Sequence, residues 1–245
     1  MAWFKNWFNT HYYHLLYQHR DDVEAQAFVA RLLSNLALKP QADILDLACG
    51  KGRHARFMAQ QGYHVVGIDL SEASIAEAQQ WANEQLQFYV QDMREVFRTD
   101  SFDLVCNLFT SFGYFEQNGD NLRTLQAVYA ALRPDAYLVI DFLNLPYTIA
   151  QLRPAETKTI ANVHFDISRK VENGYIIKTI DVYDGEQTFH FVERVQALSL
   201  ADFEAYFQQS GFELCQVWGN YALQPYEPNT SDRLIMVARK GKAII

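Results

Sequence analysis

The amino-acid sequence predicts a doubly wound α/β fold, with a mostly parallel seven-stranded sheet and an antiparallel β-ribbon inserted after the fifth strand. Short apolar runs alternate with amphipathic segments from residue 42 to residue 142, a pattern typical of a parallel sheet with helices on both faces. The segment 157–198 is instead rich in β-forming residues and contains the dipeptides Asn173-Gly174 and Asp184-Gly185, which favour hairpin turns. A helix and two strands then complete the sheet.

Each element has a signal of its own. The strands of the first part are predicted at the apolar runs 42–47, 63–69, 87–90, 102–107 and 136–142. Helical spacing predicts helices between them at 52–62, 71–83 and 122–132. Ser71 is a suitable N-cap for the second of these helices. The ribbon is predicted to have three strands, and it is followed by a helix at 199–210 with Ser199 as its N-cap, and by strands at 212–218 and 233–239. We expect one domain over 1–245, because no convincing linker interrupts the pattern.

Residues 1–38 are predicted to be helical, with Asp21 and Asp22 as caps of a helix that runs to about Leu36. The start of this segment carries an unusual number of aromatic residues, Trp3, Phe4, Trp7, Phe8, Tyr12, Tyr13 and Tyr17. We interpret 1–38 as a lid that closes over the active site and excludes water. The alternative is a helix buried against the sheet or against a partner.

Composition limits the function classes. The 245 residues are 49% hydrophobic and 20% charged, which predicts a full core rather than disorder. The formal net charge is -8, so nucleic acid is an unfavourable partner. The three scattered cysteines favour neither disulfides nor a zinc site, and the histidines show no ligand spacing. No secretory signal or membrane span is evident, so we predict a cytoplasmic protein with no membrane partner and no metal, and leave its oligomeric state open.

Three acidic residues follow three successive predicted strands. Gly50 and Gly52 allow a ligand close to the backbone after the first strand. Asp69 ends the second strand, where a carboxylate can accept hydrogen bonds from ribose hydroxyls, and Asp92 follows the third. The glycines also fit the dinucleotide fingerprint, so an NAD-dependent oxidoreductase is a remote alternative. Asp46 argues against it, since a carboxylate suits an ammonium group and not a pyrophosphate.

Four segments carry a resemblance to a known family: ILDLACGKGRHARF, GIDLS, QDM and FDLVCNLFTSFGYF. They resemble motifs of the class I S-adenosylmethionine-dependent methyltransferases, which implies a Rossmann-like sheet of strand order 3-2-1-4-5-7-6 and S-adenosyl-L-methionine as cofactor. The residues that the resemblance assigns to the cofactor are Asp46, Ala48, Cys49, Gly50, Gly52, Asp69, Leu70, Asp92, Met93 and Asn107. Ala48 stands where the family usually has its first glycine, and alanine is tolerable there if the residue keeps an ordinary φ.

Simpler interpretations of the three acids remain open. Asp46 could cap a helix or pair with Arg53, Asp69 could be a turn residue before the Ser71 cap, and Asp92 could pair with Arg94. Each acid alone is a weak signal. Their order after three strands, with the glycine loop first, is what favours the cofactor interpretation.

The sequence predicts methyl transfer to a small molecule by in-line displacement, with a methyltransferase acting on RNA or protein as the alternative. A neutral thioether leaves without acid assistance, so no catalytic residue can be assigned, and a base is needed only if the acceptor must first lose a proton. The residues predicted to shape the acceptor pocket are Tyr13, Tyr17, Phe109, Phe112, Tyr114, Arg169 and Arg194. Either arginine could bind an acceptor carboxylate, although charges on a ribbon are more often simply solvated.

Overall fold

The computed structural model describes residues 7–17, 22–117 and 119–241, apart from the side chain of Asp22. Seven strands form the main sheet in the order β10-β11-β5-β4-β1-β2-β3. They are β1 Asp43–Leu47, β2 His64–Asp69, β3 Leu86–Val90, β4 Phe102–Asn107, β5 Leu132–Leu143, β10 Phe212–Trp218 and β11 Arg233–Lys240. The first five strands pair in parallel, and β11 is antiparallel to both β5 and β10. The predicted fold class and strand order are therefore confirmed.

Helices cover both faces of the main sheet. The helices on the main sheet are α2 Asp22–Leu36, α3 Arg53–Gln60, α4 Glu72–Ala78, α5 Asp120–Ala131 and α7 Leu200–Ser210, and the described residues also form the short helices α1 His11–Leu16 and α6 Leu145–Ala150. Side chains of β1 alternate between two cores: Ile44 packs with Phe28 of α2 and Met58 of α3, while Leu45 packs with the helices on the opposite face. This alternation follows from the period of two in a strand.

The inserted ribbon has four antiparallel strands, so the prediction of three was wrong. They are β6 Ala155–Ile160, β7 Val163–Glu172, β8 Tyr175–Asp184 and β9 Gln187–Gln196. The predicted hairpins at Asn173-Gly174 and Asp184-Gly185 are present. The additional hairpin turns at Ala161 and Asn162, whose φ angles are 48° and 65°. The turn contains no glycine, and alanine rarely adopts a positive φ. The sequence therefore gives no sign of a hairpin at this point.

Helix ends agree with the predicted caps where the structure describes them. The Ser71 and Ser199 side chains accept hydrogen bonds from the first turns of α4 and α7. The predicted helix at 71–83 is shorter, because α4 gives way to a 3₁₀ turn at Gln79–Trp81. The short helix α6 was not predicted; its Pro146 occupies the first turn, where no N–H is needed.

The N-terminal segment packs in two places. Trp7, Leu15 and Leu16 are buried against one face of the ribbon, where they meet residues such as Phe165 and Ile180. The next helix, α2, packs instead on the main sheet. Residues 1–6 and 18–21, which include Trp3, Phe4 and the Asp21 cap, lie outside the described residues. The interpretation of 1–38 as a lid stays a prediction.

Within the described part of the chain, no helix is both long enough and apolar enough to cross a membrane.

Candidate active site

A cavity of about 500 Å³ lies at the carboxyl ends of the parallel strands. The loops that follow β1, β2, β3 and β4 form one side of it. The opposite side is formed by the N-terminal segment and by β9, through Phe8, Tyr13, His14, Tyr17 and Glu193. Because the neighbours of β1 are β4 and β2, the connections diverge here, and ligands of open α/β sheets bind at such a switch point.

The structure brings most of the predicted cofactor residues together at this cavity. Those that line it are Ala48, Cys49, Gly50, Asp69, Leu70, Asp92 and Met93. Asp46, Gly52 and Asn107 do not line it. Asn107 is fully buried and its side-chain amide donates to the Leu47 carbonyl at 3.0 Å, so it ties β4 to β1.

Glycine is suited to two positions of the first loop for different physical reasons. Gly50 has a φ of 55°, and a Cβ there would meet nothing within 4 Å, so the backbone lies open to a ligand. Gly52 has a φ of 78°, and a Cβ there would lie 2.5 Å from the ring of Phe88. Gly52 therefore serves packing on β3. Ala48 has a φ of 63°, so the condition of an ordinary φ is not met, and the residue stores strain that glycine would not.

Asp69 is held rigidly at the end of β2. One carboxylate oxygen accepts the Gly50 N–H and the other accepts the Ser71 N–H, each at 2.8 Å. Burial raises the pKa of Asp69, and the N–H groups of Ser71, Gly50 and Leu70 offset only part of that effect. The carboxylate has further lone pairs for a ligand. Asp69 therefore acts as the turn residue before the Ser71 cap and also faces the cavity.

Asp46 lies within β1 and is almost completely buried. Its Oδ2 atom has no hydrogen-bond partner among the described residues. Burial raises the pKa of Asp46 to about 7, and the Ala55 N–H and the charge of Arg53 counteract this only in part. An uncompensated buried carboxylate is costly, so this oxygen is a buried acceptor that the described residues leave unsatisfied.

Asp92 is paired with Arg94, as the simpler interpretation proposed. The guanidinium donates to both carboxylate oxygens, at distances between 2.7 and 3.2 Å, and also binds Asp120 at 2.7 Å. Burial would raise the pKa of Asp92, but the hydrogen bonds and charge of Arg94 outweigh it and hold that pKa below its usual value. Most of the acceptor capacity of Asp92 is thus taken within the protein.

Of the predicted acceptor residues, Tyr13, Tyr17, Phe109 and Tyr114 line the cavity. Phe112, Arg169 and Arg194 do not, and these placements correct the prediction. The Phe112 ring is buried against Phe203 in the main core.

The two arginines have partners within the protein. Arg169 forms an ion pair with Glu156 of the neighbouring strand β6. Arg194 lies over the ring of Tyr175, with its centroid 4.7 Å away, and within 4.0 Å of Glu116. Neither arginine is placed to bind an acceptor carboxylate.

Glu193 lines the cavity and was missed by sequence reasoning. It lies on β9 next to Arg194, which alternation turns to the other face of the ribbon. The sequence pattern that could have identified Glu193 is the spacing of two between Phe189, Phe191 and Glu193, in which an acid continues the apolar face of a strand. His14 of the predicted N-terminal segment and Phe115 of the predicted segment after β4 also line the cavity.

A buried ion pair supports the loop after β4. Phe109 and Thr110 have φ angles of 58° and 59°. Asp141, which is fully buried, accepts the Phe109 N–H at 2.8 Å and pairs with Arg233 at 2.7 Å. Arg233 in turn donates to the Thr110 hydroxyl at 2.9 Å. This network holds the Phe109 ring in the cavity wall, where it stacks on His54 with a centroid distance of 4.5 Å.

Comparison with known proteins defines the class. A family model described as "Methyltransferase domain" matches residues 44–135. The putative methyltransferase YqeM of Bacillus subtilis is 30% identical over 223 residues, which covers 85% of this chain and 88% of the relative. The chain belongs to the class I S-adenosylmethionine-dependent methyltransferases. It is therefore an enzyme whose cofactor is S-adenosyl-L-methionine, and the NAD-dependent alternative is set aside.

More distant similarities extend the comparison. A dTDP-3-amino-3,6-dideoxy-alpha-D-glucopyranose N,N-dimethyltransferase of Streptomyces fradiae is 28% identical over 123 residues, covering 50% of this chain and 46% of the relative. The structure of an S-adenosylmethionine-dependent methyltransferase from Clostridium acetobutylicum superposes with a TM-score of 0.80 at 20% identity, over 94% of this chain and 96% of that one. The amino pentose methyltransferase CalS10 from Micromonospora echinaspora gives 0.72 at 20% identity, over 94% and 97%. The fold is thus that of known methyltransferases.

Proposed function

We propose that the chain methylates a small molecule enclosed between the carboxyl edge of the main sheet and the roof made by α1 and β9. The observation that carries this proposal is a single cavity with the cofactor motifs on one side and aromatic residues on the other. Its volume of about 500 Å³ falls in the range of small-ligand sites. A cytoplasmic location remains part of the prediction.

The residues present fit the cofactor. In this proposal the Asp69 carboxylate, which lines the cavity, accepts the ribose hydroxyls, and Leu70 and Met93, which also line it, contact the adenine. The open backbone at Gly50 and the unpartnered Oδ2 of Asp46 suit the methionine part with its ammonium group. When bound, the cofactor supplies a methyl group on a positively charged sulfur, with a neutral thioether as leaving group.

The protein's own contribution is positioning and exclusion of water. Phe8 and Tyr13 close the cavity from the N-terminal side, and Phe109 closes it from the sheet. Holding two reactants in line can supply about 7–11 kcal/mol of a barrier without any acid or base. No group of three His, Cys, Asp or Glu side chains in the described segments is arranged to hold a metal ion, and the proposal uses none.

Two observations support a small acceptor over RNA or protein. Aromatic residues of the N-terminal segment line the cavity together with the loops of the sheet, which suits an enclosed small ligand, and the net charge of -8 is unfavourable to a phosphate backbone. The similarity to aminosugar methyltransferases points the same way. A macromolecular acceptor is the outcome that would contradict the proposal.

Calorimetry with S-adenosylhomocysteine tests the cofactor half of the proposal. We expect binding to the intact chain, no heat with NAD, and affinity weaker by about tenfold or more for Asp69→Asn, because hydrogen bonds to a charged group are lost. Asp232→Asn, at an exposed position, is the matched control and should bind normally. Unchanged affinity in Asp69→Asn would mean that the ribose lies elsewhere.

Release of S-adenosylhomocysteine from S-adenosylmethionine tests the acceptor half. A panel of small amines, alcohols, thiols and acids is compared with total RNA and with denatured protein. Turnover restricted to small acceptors supports the proposal. Turnover on RNA or protein alone overturns it.

A further inference from the structure

Three side chains from the N-terminal segment and β8 surround the carboxylate of Glu193 on β9. We call Trp7, Tyr17, Lys178 and Glu193 the roof cluster. The Trp7 indole N–H donates to Glu193 Oε1 at 2.6 Å, and the Tyr17 hydroxyl donates to the same oxygen at 2.7 Å. Lys178 Nζ lies 3.6 Å from Glu193 Oε2 and also donates to the Tyr17 hydroxyl. Residues from the N-terminal segment, β8 and β9 thus hold the Glu193 side chain in one place.

The carboxylate of this cluster is presented to the cavity, whereas its counter-ion is not. Glu193 and Tyr17 line the cavity, but Lys178 does not. The Lys178 side chain is 13% exposed and that of Glu193 is 15% exposed, so both are largely shielded from solvent. A carboxylate has about four lone-pair positions. Trp7 and Tyr17 donate to Oε1, while Oε2 lies 3.0 Å from the Tyr17 hydroxyl and 3.6 Å from Lys178 Nζ. Because the single Tyr17 proton is shared between the two oxygens, one position remains for a ligand. A ligand in the cavity therefore meets a negative group and not the lysine.

Aromatic rings lead from the sheet side of the cavity to this carboxylate. The rings of Tyr114 and Phe8 are 5.5 Å apart, those of Phe8 and Tyr13 4.9 Å, and those of Tyr13 and Tyr17 5.0 Å, between centroids. All four rings line the cavity. Ring faces attract cations, so a row of rings that ends at a carboxylate favours a cationic or N–H-bearing ligand.

Arg169, Arg194 and Lys51 do not offer a site for an acid at Glu193, and Arg53, which also lines the cavity, lies over the ring of Phe109 on the sheet side. Arg169 and Arg194 lie outside the cavity lining. Lys51, which does line the cavity, is paired with Glu77 at 2.8 Å. An acceptor carboxylate at the roof would face Glu193 without a compensating charge from these groups.

We propose that Glu193 is the acceptor-binding residue and that the acceptor is a small amine. Its N–H groups donate to the Glu193 carboxylate while its carbon skeleton lies against Phe8, Tyr13 and Tyr17. An amine that enters as its ammonium form would first release one proton to solvent. The neutral amine, held by its N–H bonds, would then use the nitrogen lone pair to form the new N–C bond as the methyl–sulfur bond of the cofactor breaks, and the methylated nitrogen would carry the positive charge. This inference names the acceptor class for the proposed function and rests on it.

Binding measurements on the intact chain saturated with S-adenosylhomocysteine test the inference. The probes are cyclohexylamine, cyclohexanol and cyclohexanecarboxylate, which share a ring and differ in the polar group. We expect the amine to bind about tenfold or more tightly than the alcohol, and the carboxylate to give no measurable heat. Equal or tighter binding of the carboxylate, or no binding of the amine, overturns the inference.

Variants show whether Glu193 is responsible. Glu193→Gln should weaken cyclohexylamine binding by about tenfold or more and leave the affinity for S-adenosylhomocysteine unchanged. Glu186→Gln, on the exposed β8–β9 turn, is the matched control and should change neither. The double variant Glu193→Gln, Lys178→Met removes the lysine charge that the single variant would leave buried, and it should show the same loss. Normal cyclohexylamine binding by a folded Glu193→Gln variant overturns the inference. Failure of the unaltered chain to bind S-adenosylhomocysteine would instead refute the proposed function.

Discussion

Replacing Arg233 with methionine should destabilise the protein strongly, because it leaves a buried carboxylate without its cation. The Arg233 and Asp141 side chains are 16% and 0% exposed, and they are paired at 2.7 Å. Asp141 also accepts hydrogen bonds from the Phe109 N–H and, at 3.2 Å, from the Tyr221 hydroxyl. Methionine fills a similar volume without a charge, so the change isolates the electrostatic contribution.

The expected loss is about 3–5 kcal/mol of unfolding free energy, the cost of removing one partner from a buried pair. A typical domain is stable by about 5–15 kcal/mol, so the variant should still fold. Burial already raises the pKa of Asp141 despite Arg233, and the variant should raise it further. When a carboxyl group has a higher pKa in the folded protein than in the unfolded chain, its contribution to stability is fully present below the unfolded pKa of about 4. That contribution is lost as the pH rises through the folded pKa. The difference from the unaltered protein should therefore be larger at pH 7 than at pH 5.

Urea unfolding at both pH values measures this difference. The matched control is Arg239→Met on the same strand, whose partner Glu213 lies at 2.8 Å on the exposed surface. That variant should lose much less stability at either pH, since solvent screens an exposed pair. A loss for Arg233→Met no larger than for Arg239→Met, or a loss that shrinks as the pH rises, would refute the reasoning.

Three further predictions concern the first loop and β1. Ala48→Gly should raise stability by about 0.5–1 kcal/mol, because relief of the left-handed strain exceeds the entropy that glycine adds to the unfolded chain; a lower thermal midpoint would contradict this. Gly52→Ala should lower stability by about 2 kcal/mol or more, as its Cβ meets the Phe88 ring at 2.5 Å with a positive φ, and Phe88→Leu should restore part of the loss. The pKa of Asp46, about 7 in the free protein, should fall when the cofactor's ammonium group binds. Calorimetry at pH 7 in buffers of different ionisation enthalpy should then show proton release, which Asp46→Asn should abolish.

Local periodicity accounts for how much of the fold could be predicted. Short apolar runs predicted the bounds of β1, β4 and β10 to within one residue. Ser71 and Ser199 correctly marked the starts of α4 and α7. These signals are readable because strand burial and helix capping depend on residues close together in the chain. The fourth ribbon strand was missed because its turn contains no glycine and uses Ala161 with a positive φ, which alanine does not itself favour.

Part of the site could also be predicted from the sequence. The carboxyl ends of parallel strands meet at one edge of a sheet, so residues that follow successive strands, such as Gly50, Asp69 and Met93, come together whatever the remaining packing is. The class of enzyme and its cofactor depend on these positions. The sequence alone was therefore sufficient for both.

The acceptor side was decided only by tertiary structure. Phe112 and Arg194 have the residue types of a pocket wall, yet one is buried in the core and the other lies off the cavity lining. Glu193 faces the cavity because the Trp7 and Tyr17 side chains and the β8 residue Lys178 converge on it from distant parts of the chain. Such convergence depends on how α1 packs against the ribbon. No local pattern encodes that packing, since Glu193 is 186 residues from Trp7 and 176 residues from Tyr17 along the chain.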